Sequence, residues 1–80
     1  MLGRRRGESP LDLLSPRERE VLGAVAEGKS NRGIAETLYI SDAAVEKHVT
    51  HIFGKLGLSQ SPGEHRRVLA AITYLRNAGR

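Results

Sequence analysis

The sequence predicts an all-α domain of four helices, and three observations lead there. Apolar residues recur at steps of three and four, never in the strict alternation of a half-buried strand. Each periodic run opens on a serine and closes on a glycine, an asparagine or a break in the pattern. The chain has 80 residues, 39% of them hydrophobic, with no cysteine and no tryptophan. That length allows one small domain around one modest core.

The elements follow in order. Residues 1–13 mix Gly3, Gly7 and Pro10 with Arg4, Arg5 and Arg6. They read as a flexible arm or the end of a linker, with the domain over 14–80. Ser15-Pro16-Arg17-Glu18 opens the first helix. Ser15 is an N-cap, Pro16 suits the first helical position, and Glu18 completes a capping box. Val21, Leu22 and Val25 form its stripe, and Gly28 stops it. Ser30-Asn31 opens a shorter second helix with Ile34, Ala35 and Leu38 facing inward. Tyr39-Ile40 breaks the pattern. Ser41 caps a third helix over 42–56, carrying Val45, Val49, Ile52, Phe53 and Leu56, with Gly57 as its stop. Ser61-Pro62-Gly63-Glu64 repeats the serine-proline-acid opening of the first helix. Val68, Leu69, Ile72 and Leu75 are expected mostly to fill the core from the fourth helix, which Asn77 and Gly79 close.

Several function classes drop out. A chain this short and free of cysteine is neither a multi-domain enzyme nor a disulfide-stapled module. No apolar run approaches the roughly 18–20 residues of a membrane span, and Met1 to Pro10 lacks a signal peptide's apolar stretch. A soluble cytoplasmic domain, without membrane contact, is the expectation. Gly23 to Ser30 spells G-x-x-x-x-G-K-[ST], but a phosphate loop needs a buried strand before it. Here the first residues of the match belong to an amphipathic helix. His48 and His51 share a helix face, yet no third or fourth ligand sits at a metal-binding spacing. No nucleophile, base and acid converge, so neither cofactor nor catalysis is expected.

The second and third helices together carry the positive signal. With Asn31 as the first position of a helix-turn-helix unit, the close crossing needs a small residue at the fifth position. It needs apolar residues at the fourth, eighth, tenth and fifteenth. Ala35 meets the first demand, and Ile34, Leu38, Ile40 and Val45 meet the rest. Tyr39 stands where glycine is common, and His48 where an apolar residue is usual. On the third helix Glu46, Lys47, Thr50 and Gly54 lie opposite the apolar stripe. A recognition helix presents such residues to the DNA major groove. Lys47 suits guanine O6 or N7, and Glu46 suits cytosine N4. Thr50 suits a base, a thymine methyl or a phosphate. Phosphate contacts are expected to flank them, from Lys29, Ser30, Asn31 and Arg32 at one helix start and Ser41 at the next. His51 and Lys55 lie further along the third helix.

From Leu14 to Leu58 the chain resembles the C-terminal DNA-binding domain of LuxR/FixJ/NarL-type regulators. The resemblance rests on Leu14 to Leu22, Ala26 to Asn31, Ile34-Ala35, Leu38 and Ile40-Ser41. It continues through Val45-Glu46-Lys47-His48-Val49 and Ile52 to Gly57. It accounts for His48, which the family usually carries there. It implies a tri-helical core plus a C-terminal helix, double-stranded DNA as partner and base contacts at Glu46, Lys47 and Thr50. It also implies binding to repeated half-sites through a weak homodimer on helix four, with Ala71, Tyr74 and Leu75 as candidate contacts. Ala44 departs from the family's usual threonine, which often contacts phosphate. The run Val45 to Leu58 with His65 to Ala70 looks most like NarL-type response regulators, in which a receiver domain precedes this one.

Two other readings compete. A helical protein-interaction module would leave Glu46 and Lys47 merely solvated. Region 4 of sigma factors has a similar helix-turn-helix, but the Val45 to Val49 spelling and a fourth helix favour the regulator. Charge discriminates less well. Residues 1–45 hold seven basic and seven acidic groups, and residues 46–80 hold six and two, so the net +4 sits in the second half. Most of that excess is Arg66, Arg67, Arg76 and Arg80, outside the proposed reading helix.

Overall fold

A computed structural model describes residues 9–78. Four α-helices follow a short 3-10 turn: α1 (Pro16–Ala26), α2 (Asn31–Leu38), α3 (Asp42–Lys55) and α4 (Gly63–Asn77). No strand occurs among the described residues, and none of their helices is long and apolar enough to cross a membrane.

The α1 start forms as its sequence dictates. Ser15 Oγ accepts from the Glu18 N–H, and the Ser15 N–H donates to Glu18 Oε1 at 2.8 Å. Pro16 takes the first helical position. Such a reciprocal cap satisfies two otherwise orphaned donors and stabilises a helix by about 1 kcal/mol. α2 and α3 are capped by Ser30 and Ser41 through the N–H groups of Gly33 and Ala44.

α1, α2 and α3 end alike. A left-handed residue turns the chain, and the next N–H reaches the carbonyl five residues back: Lys29 to Ala24, Ile40 to Ala35 and Leu58 to Phe53. Gly28 and Gly57 hold this conformation at φ 89° and 75°, but at the end of α2 Tyr39 holds it at φ 60°.

The core gathers around α1, which packs against all three other helices. Val21, Leu22, Ile34, Val45 and Ile52 are its fully buried large side chains. α2 crosses α3 over Ile34, Ala35 and Val45, with Leu38 and Ile40 packed at the margin. All five positions of the helix-turn-helix reading therefore lie in the core or against it.

Three expectations need correction. The arm expected over 1–13 does not extend through its last residues. Pro10–Leu13 forms the 3-10 turn, capped by Ser9 and tied to α1 by Arg19, whose guanidinium donates to Leu11 O and Asp12 Oδ1. Leu11 is buried in the core. Residues 1–8, including Arg4 to Arg6, lie outside the described residues.

The α4 start is also shifted. Pro62, not Ser61, is the N-cap, and no side chain caps the helix. The Ser61 carbonyl instead accepts from Arg66 Nη1 at 2.8 Å. Gly63 is the first helical residue, so the serine sits one position too early to cap. The proposed stop at Gly79 lies outside the described residues.

The largest correction concerns the buried face of α4. Val68, Leu69, Ile72 and Leu75 are exposed, Val68 at 56% and Leu75 at 65%. α4 rests on α1 through fully buried Ala70 and partly buried Tyr74. Gly23 makes this approach possible: a Cβ there would lie 3.1 Å from Tyr74 Oη. A small residue on each helix brings the two axes close, and the longer apolar side chains are left on the far side.

Candidate nucleic-acid interface

The exposed side of α3 is set by helical spacing. Val45, Val49 and Ile52 are buried, so residues on the opposite side meet solvent. Ala43, Glu46, Lys47, Thr50 and His51 line one shallow concavity there. Four of these were named from the sequence. Ala43 was missed, although its spacing of four and seven from Lys47 and Thr50 places it on the same stripe.

The helix start is braced. Asp42, in the first turn of α3, accepts from Arg32 Nη1 at 3.2 Å, while Arg32 Nε donates to Glu36 at 3.4 Å. These carboxylates, Asp42 foremost, raise the pKa of the exposed guanidinium. Arg32 thus links α2 to the start of α3 rather than standing as a lone cation. Ser30 and Ser41 accept backbone N–H groups and keep their hydroxyl hydrogens available to an external acceptor.

Four more expected contact residues face partners inside the protein. Asn31 Oδ1 accepts from Arg67 Nη1 at 2.9 Å, and the Lys29 carbonyl accepts from Arg67 Nη2 at 2.7 Å. Lys29 Nζ pairs with Glu27 at 3.0 Å on the surface. Lys55 Nζ donates to Glu18 Oε1 at 2.8 Å, and His51 Nδ1 lies 4.0 Å from Glu18 Oε2. Burial pushes the Glu18 carboxyl pKa up. The Lys55 hydrogen bond, the Ser15 N–H and the Lys55 charge outweigh that and hold it below the ordinary value. Besides Ala43, the sequence gives no sign that Glu18, read there only as a capping-box acid, and Arg67 hold contact residues in place. Each works through a partner distant in the chain, and only Glu18 had a local signal, its capping box. Arg66 is also turned inward, its guanidinium carbon 5.4 Å from the Phe53 ring centroid.

No three His, Asp or Glu side chains gather to hold a metal ion among the described residues. A braced helix presenting a mixed polar stripe, packed across a second helix over a small residue, has the geometry of a DNA-reading unit.

The family model described as "Bacterial regulatory proteins, luxR family" matches residues 12–63. The chain belongs to the luxR family of bacterial regulatory proteins. As a luxR-family member it is a DNA-binding domain of transcription regulation. Among curated relatives, the "Oxygen regulatory protein NreC" of Staphylococcus aureus strains JH9 and USA300 is 49% identical over 53 residues. The alignment covers 66% of this chain and 24% of each relative, so the chain spans about a quarter of their length. No solved structure matches the chain. The luxR match takes in α1, α2 and α3 whole and stops at the first residue of α4. It therefore covers the helix-turn-helix and leaves all of α4 after Gly63 outside the match.

Proposed function

We propose that this luxR-family chain is the effector domain of a two-component response regulator. In this reading α3 lies in the major groove, with Glu46, Lys47 and Thr50 reading bases. Ser30, Asn31, Arg32, Ser41 and His51 contact the backbone, as do Lys29 and Lys55. The domain acts by binding, without a catalytic step, in the cytoplasm where the DNA is. The observation that carries the reading is the exposed Ala43–Glu46–Lys47–Thr50 stripe on a helix braced at its start and pinned by Ile34, Ala35 and Val45. A receiver domain elsewhere in the full-length protein accords with relatives about four times longer than the match.

A weak homodimer through α4 is part of the proposal. Val68, Ile72 and Leu75 lie on one stripe and are exposed, with half-buried Ala71 at its edge. Leu75 stays a contact candidate, whereas much of Tyr74 is committed to Gly23 within the protomer. One short helix covers less than a standard interface, so the dimer is weak in the absence of DNA.

Selection of bound duplexes from a random pool tests the reading, because it reports base preference and half-site spacing together. A preferred, repeated half-site is expected; enrichment of no sequence would refute it. Lys47→Ala is expected to lower affinity for the selected site by about 1–3 kcal/mol and relax preference at one base pair. Unchanged affinity and preference would remove Lys47 from the reading set.

A further inference from the structure

Ala43 is the one apolar side chain lining the α3 concavity, which otherwise holds Glu46, Lys47, Thr50 and His51. It is exposed, while its neighbour Ala44 is partly covered and Val45 is buried. No packing inside the protein accounts for an alanine at this position, and its small size lets the first turns of α3 approach a surface closely. The side chains beside it are suited to guanine, through Lys47, and to cytosine, through Glu46. Neither recognises the feature that marks thymine in the major groove, its C5-methyl group. An alanine methyl is matched to that group by apolar contact.

We propose that Ala43 is a specificity-determining residue that reads a thymine methyl in the half-site. The inference rests on the DNA-binding reading of α3. Ala43 precedes Lys47 by four residues, about 6 Å along the helix axis. Base pairs are spaced about 3.4 Å apart. The thymine therefore lies within about two base pairs of the one read by Lys47. Thr50 also carries a methyl, but it lies nearly one turn beyond Lys47, so its base is on the other side of the Lys47 position.

The test is a cycle between protein and DNA, run on the preferred duplex from selection. Deoxyuridine replaces each thymine in turn, which removes only the methyl group. In the wild-type protein one replacement is expected to weaken binding about fourfold, the worth of one buried methyl-sized group. In Ala43→Gly the same replacement is expected to cost nothing. The helicity of Ala43→Gly, read by circular dichroism, guards against a loss caused by fraying of α3, and Ala43→Ser, which keeps the Cβ, is expected to retain a deoxyuridine cost. A deoxyuridine cost that persists undiminished in Ala43→Gly, or a half-site with no methyl-sensitive thymine, overturns the proposal. A wild-type domain that prefers no duplex refutes the DNA-binding reading itself, an outcome separable from the others.

Discussion

Tyr39 holds a left-handed backbone position that Gly28 and Gly57 hold at the ends of α1 and α3. For a side chain with a Cβ this conformation costs about 1–2 kcal/mol. The ring recovers nothing by packing, since it is 92% exposed. Tyr39→Gly is therefore expected to stabilise the domain even after glycine's greater unfolded-state entropy is counted. A net gain near 0.5–1 kcal/mol corresponds to a rise in Tm of about 2–8 °C for a domain this size. A thermal melt followed by circular dichroism measures it, and an unchanged or lower Tm would contradict the strain. Glu18 makes stability depend on pH. Its folded pKa lies below the ordinary 4.5, so its contribution is fully present above the unfolded value. That contribution is lost as pH falls through the folded one. Glu18→Gln is expected to lower stability at neutral pH and to flatten the acid limb of a stability-versus-pH curve. Equal slopes for both proteins would show that Glu18 does not drive the acid loss.

Among the elements, α1 and α4 show what a sequence reveals and what it conceals. Ser15→Ala should cost about 1 kcal/mol, because it removes the acceptor of the Glu18 N–H; denaturant unfolding reads that directly. The α1 cap was legible because its partners lie three residues apart, and the α2–α3 crossing because a template fixes each position. The α4 start carries the same letters but sits one residue out of register, which spelling alone cannot show. Its buried face was misread because apolar spacing defines a stripe without saying what covers it. The approach of Ala70 and Tyr74 to α1 depends on Gly23, far off in sequence. The candidate site divides in the same way. Glu46, Lys47 and Thr50 follow from helical periodicity. The commitments of Asn31 to Arg67 and Lys55 to Glu18 span 36 and 37 residues and leave no local trace. Arg67→Ala should loosen the tie between α4 and the start of α2, seen as faster amide exchange at the first turns of both helices.

For the whole molecule, the net charge of +4 overstates what is available to a polyanion. Arg66 and Arg67 are turned to carbonyls and side chains within the protein, so the proposed DNA reading by α3 rests on placement more than on bulk charge. The exposed stripe of α4 has a consequence if the proposed phosphate contacts are made. Apolar association strengthens in sulfate, which is excluded from protein surfaces, whereas counterion release weakens DNA binding as any salt rises. Raising sulfate should therefore drive copies of the domain together while driving them off DNA. Sedimentation and duplex binding followed across one salt series would then move in opposite directions. Leu75→Glu should abolish the first trend without lowering Tm, because Leu75 is largely exposed. Salt would thereby separate the proposed self-recognition from DNA recognition in one small domain.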